Sequence, residues 1–147
     1  MPTLNVSPAP FAVVRSPERP CKTGMPPGVA MDALDAEARA LILRLRHAAR
    51  LARCGRHISL IEAHRALVCP GAASGSAEVL VRTLGEVLGR RPVFHAPDAR
   101  VASFDEAWIA QCHKAQARLD VDSLTMLVRT RVAAPLRRFF LDVLRAV

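Results

Sequence analysis

Apolar residues recur at helical spacing over most of the chain beyond residue 31. Leu34, Ala38, Leu41, Leu45, Ala48 and Ala52 follow one another at alternating steps of four and three, which lays one stripe along a helix. Asp32, Asp35 and Glu37 stand at the start of that stretch, and Arg50, Arg53 and Arg56 at its end. This polarity suits the partial positive charge of a helix N-terminus and the negative charge of its C-terminus. Gly55 follows as a residue able to take the left-handed conformation that stops a helix. A first helix is predicted from Asp32. Leu43 and Leu51 fall off the main stripe and place apolar surface on a second side.

Ser59 and Glu62 have the spacing of a capping box and open a short helix through Val68, ended by Pro70 and Gly71. Residues 77–88 carry Leu80, Leu84, Val87 and Leu88 on one face, with Glu78, Arg82 and Glu86 spaced for i,i+4 pairing. Gly89 and Pro92 close that helix. Residues 92–102 read as a connector in which Val93 and Phe94 form the only extended piece. Ser103 and Glu106 repeat the capping-box spacing, and Phe104, Trp108, Cys112, Ala115 and Leu119 recur on one face of the helix that follows. Asp120 or Asp122 caps a fifth helix bearing Leu124, Leu127, Val128 and Val132. Pro135 opens a sixth, whose apolar side is Leu136, Phe139, Phe140, Val143 and Leu144. The predicted fold is all-α: about six short helices in a compact bundle.

Seven of the eleven prolines lie in the first 27 residues, where they remove backbone donors and fix φ. Residues 1–31 are therefore expected to be a disordered Pro-rich tail, and 32–147 a helical domain with sub-halves 32–91 and 103–147. Met25 and Met31 sit at the end of that tail, so translation is expected to begin at one of them, making the upstream segment a misassigned start.

Composition narrows the class further. Hydrophobic residues make up 51% of the 147, aromatics only 4%, and tyrosine is absent, a balance that favours helix over sheet. The formal net charge is +8, carried by nineteen arginines and two lysines against thirteen acids. Such an excess draws the chain toward acidic proteins or nucleic acid. No apolar run approaches the roughly 18 residues of a membrane span and no secretory pattern is visible, so cytoplasmic residence without membrane contact is expected. Cys21, Cys54, Cys69 and Cys112 would then be reduced thiols.

Candidate chemistry is sparse. Cys54, His57, His64 and Cys69 are four residues of the types zinc prefers, and a small zinc-stabilised module is one reading, although the spacing matches no standard finger. Otherwise no cofactor is expected. Cys112 and His113 are adjacent on a helix and diverge by about 100°, which suits a core thiol beside a surface imidazole. No nucleophile elbow or phosphate loop is present, so no catalytic residue is assigned and no enzyme activity is expected. The sequence points to a regulatory or adaptor module acting through protein–protein contact, with a partner protein or a second copy of itself. Leu41, Leu45, Phe139 and Phe140 are the expected anchors, and Arg39, Arg46, Arg50 and Arg53 the expected contacts to an acidic partner. The alternative is a DNA- or RNA-binding regulator that turns the same basic face of the first helix toward phosphates.

Overall fold

A computed structural model of the chain describes residues 28–53, 58–68 and 75–147, without the side chains of His64 and residues 66–68. The predicted tail, apart from residues 28–31, lies outside the described residues. So do Gly55 and the turn after Val68.

The architecture is all-α. The helices are α1 (Ala36–Arg53), α2 (Leu60–Val68), α3 (Ser76–Leu88), α4 (Phe104–Ala117), α5 (Val121–Arg129) and α6 (Arg137–Arg145). Among the described residues no helix is long and apolar enough to cross a membrane.

Local chemistry explains most boundaries. α1 begins four residues later than its charges suggested. Met31–Ala33 form a 3-10 turn, Leu34 is extended, and the Asp35 carboxylate accepts the Ala38 N–H at 2.8 Å, fixing the first turn beyond it. Both capping boxes form. At α2 the Ser59 N–H donates to Glu62 at 3.0 Å while the Glu62 N–H reaches the Ser59 hydroxyl at 3.3 Å. At α4 the reciprocal bonds of Ser103 and Glu106 are 2.8 and 3.1 Å. Asp120 caps α5 through the Ser123 N–H at 3.0 Å. Gly89 ends α3 at φ +64, where a side chain would be strained. Pro135 sits in a 3-10 turn, Ala134–Leu136, that leads into α6.

The paired extended segments lie at neither Val93 nor Phe94. Val29–Ala30 (β1) pairs antiparallel with Val101–Ala102 (β2), Val29 opposite Ala102 and Ala30 opposite Val101. Residues 29–31 are thus part of the fold and not of a tail. Gly28 allows this approach, because a Cβ there would collide with the Ala102 carbonyl and the Val101 side chain. Val93 is held by side chains: its N–H donates to Asp105 at 2.8 Å and its carbonyl accepts from the Ser103 hydroxyl.

One core joins both sub-halves. Leu41, Ile42 and Leu45 of α1, Leu80 and Leu84 of α3, Ile109 and Cys112 of α4, and Phe140, Val143 and Leu144 of α6 belong to a single buried cluster. α4 lies at its centre, and this accounts for burial on several sides: Asp105, Glu106, Trp108, Ile109, Ala110, Cys112 and Ala115 are all buried. Phe104 and Leu119, expected on its inner face, are instead exposed. Trp108 stacks on Phe140 at 5.1 Å between ring centroids, and its indole N–H donates to the Leu127 carbonyl at 3.1 Å, tying α5 to the core.

Candidate recognition groove

α1 packs against α3, but small residues keep the two helices from filling the space between them. Ala49 and Ala52 on α1, Gly85 on α3 and Gly89 at its C-terminal cap border a groove of about 830 Å³. Among the described residues, its further apolar surface comes from Val81, Pro92 and Phe94, and its charge from Arg53, Arg82, Arg90 and Arg91, with Glu86 the one acid. Arg82 pairs with Glu78 one turn earlier. Arg90 is half-exposed and holds Asp105 through both terminal nitrogens. Arg53 and Arg91 are exposed and have no ion pair among the described residues.

The connector after α3 forms one wall of this groove, and two buried acids at the start of α4 hold it in place. Asp105 accepts from Arg90, from the Val93 N–H and from Arg131 at 2.6 Å. Burial pushes its pKa up, but these bonds outweigh that and hold the carboxyl below its ordinary range. Arg131 in turn lies over the rings of Phe104 and Trp108, 4.6 and 4.9 Å from their centroids. Glu106 accepts the His95 N–H at 2.9 Å and the Ser103 N–H at 2.8 Å. It also forms a two-point ion pair with Arg46, whose remaining donors reach the Ala99 and Val101 carbonyls at 2.7 and 2.9 Å. The groove wall is therefore fixed in the free chain by charge-assisted hydrogen bonds.

This arrangement corrects the anchors expected from the sequence. Leu41, Leu45 and Phe140 are 1%, 0% and 0% exposed. These three serve as core because the neighbouring helices cover them, whereas Phe139 is half-buried against the same core. Arg46 is also corrected: it is fully buried and its charge is satisfied by Glu106, so it steers nothing in solvent. Arg39, Arg50 and Arg53 are exposed, and of these Arg53 reaches the groove.

No protein-family model, curated protein or solved structure matches the chain.

Of the other predicted groups, Cys54, His57 and Cys69 lie outside the described residues, as does the side chain of His64. Among the described residues no cluster of three His, Cys, Asp or Glu could hold a metal. Cys112 is wholly enclosed, and burial pushes its thiol up to about 12, which removes the thiolate needed for reactivity.

Arg90, Arg91 and Gly85 were not singled out from the sequence as site residues. Gly85, alone inside an otherwise regular helical pattern, was the available signal. Chemically, the lining offers forked guanidinium donors above an apolar floor, which suits holding an anionic group attached to an apolar body.

Proposed function

We propose that the chain is a non-catalytic, cytoplasmic regulatory or adaptor module that recognises an acidic segment of a partner protein in the groove between α1 and α3. The observation that carries this reading is the lining among the described residues: Arg53 and Arg91, which have no ion pair there, beside a small-residue and apolar floor, with Arg82 and Arg90 already paired to Glu78 and Asp105. Guanidinium groups engage carboxylates in two-point contacts, and burial of the partner's apolar atoms against Val81, Pro92 and Phe94 supplies the rest of the affinity. A wall already fastened by Asp105 and Glu106 lowers the ordering cost of association.

The test is fluorescence anisotropy with a labelled peptide rich in Glu and Leu, on the full chain and on the double variant Arg53→Glu, Arg91→Glu. Charge reversal is expected to weaken binding by about tenfold or more. Equal affinity of the two proteins would overturn the proposal.

One observation favours a second reading. Arg50, one turn before Arg53, and Arg39, near the start of the same helix, are exposed, which spreads basic charge along α1 in the way a phosphate backbone would use. Single-stranded RNA as the probe separates the readings: affinity carried by several phosphate contacts falls steeply and linearly with the logarithm of salt. Acidic-peptide binding that includes apolar burial falls less.

A further inference from the structure

Three glycines near the connector illustrate different physical demands. Gly28 is required because a Cβ would strike the Ala102 carbonyl, and Gly89 because its φ is +64. Gly85 answers to neither. It lies inside α3 with ordinary helical backbone, and a Cβ placed on it would meet only Pro92 Cδ at 3.8 Å and the Arg90 carbonyl at 3.9 Å. These are ordinary van der Waals distances, so alanine fits. Glycine in a helix interior is disfavoured relative to alanine, and here neither backbone strain nor crowding offsets that. Gly85 faces the groove, with Val81 on its own helix, Gly89 at the helix cap and Pro92 on the wall around it, so any side chain there would take up part of the floor.

We infer that Gly85 is the specificity-determining position of the groove, and that the ligand is an acidic peptide segment carrying one bulky apolar anchor, an aromatic or leucine side chain, which seats over Gly85. This rests on the acidic-partner reading above and adds the anchor to it. The anchor drops into the space where α3 has no side chain and packs on Val81 and Pro92, while its acidic neighbours meet Arg53 and Arg91 at the rim. Charge complementarity chooses this occupant over the chain's own N-terminal segment. Residues 1–27 contain Arg15, Arg19 and Lys22 against Glu18 alone, the same sign as the rim. A second copy of a chain with net charge +8 is disfavoured in the same way.

The experiment uses the full chain and two labelled Glu-rich peptides of about 15 residues that differ only in a central Phe or Ala. The wild-type chain is expected to bind the Phe peptide about tenfold or more tightly than the Ala peptide. Gly85→Ala should reduce that preference and Gly85→Leu abolish it, while Gly85→Ala unfolds at a temperature equal to or above that of the wild type. A purely structural glycine gives the opposite pattern, with lower unfolding temperatures and the Phe preference intact, and that result would overturn the inference. If the wild-type chain binds both peptides equally and Arg53→Glu, Arg91→Glu releases both, acid recognition stands and the anchor falls. If neither peptide binds, both proposals fall together.

Discussion

Arg46 of α1 and Glu106 of α4, sixty positions apart in the chain, form a two-point ion pair at 2.9 Å with neither side chain exposed to solvent. The pair does more than join two helices. Glu106 also caps α4 and takes the His95 N–H, and Arg46 also binds the Ala99 and Val101 carbonyls. A single buried charge pair thus organises the segment between α3 and α4, whose first residues form the wall of the groove.

Removing one partner leaves an uncompensated charge in the core. Glu106→Gln presents an amide to the buried guanidinium and is expected to destabilise the chain by about 3–5 kcal/mol, as is Arg46→Met. The double variant should cost less than the sum of the two singles, because the lone charge has gone. Urea unfolding of the four proteins measures this. Strict additivity would show that the pair is not coupled.

Asp105 predicts the direction of a pH dependence. Its folded-state pKa is held low by Arg90, Val93 and Arg131, so its contribution is present above the ordinary carboxylate value and is lost as pH falls through the folded value. Asp105→Asn should lower stability at neutral pH by about 1–3 kcal/mol. The difference from wild type should shrink as pH drops below about 4, where the unfolded chain takes up the proton. Thermal unfolding of both proteins from neutral to acidic pH provides the comparison, and a gap that stays constant would contradict the assignment.

Leu119 adopts φ +58 immediately after α4, in a Schellman turn closed by the Asp120 N–H to the Ala115 carbonyl at 2.9 Å and the Leu119 N–H to the Gln116 carbonyl at 3.0 Å. Its side chain is 84% exposed, so packing does not offset the backbone cost. Leu119→Gly should stabilise by about 0.5–1 kcal/mol and Leu119→Val destabilise by a similar amount. Paired melting curves read both signs.

The sequence carried the helices well because their signals are local. Ser59 with Glu62, Ser103 with Glu106, Asp120 and Gly89 each act within one turn, and each does in the structure what its spacing implies. The first helix was begun too early because Asp32 and Asp35 look alike in sequence, and only Asp35 reaches a helical N–H. The site was less legible. An apolar stripe has the same spacing whether it faces a partner or the chain's own core, so Leu41, Leu45 and Phe140 could not be placed from periodicity alone. Arg46 and Arg50 are likewise the same residue one turn apart, and only the distant Glu106 decides which one is buried. The groove depends on contacts between α1, α3 and a connector some 40 residues along the chain from Arg53, which no local pattern encodes.

The proposed function places an acidic partner in the groove between α1 and α3. Titrating isotope-labelled full chain with the Glu-rich Phe peptide, and following backbone amide shifts by NMR, tests it directly. Saturable shifts are expected to concentrate at Ala49, Arg53, Val81, Gly85, Gly89 and Phe94, with α5 unmoved. Shifts confined to α5, or to the exposed Leu43 and Leu51 side of α1 with the groove silent, would contradict it.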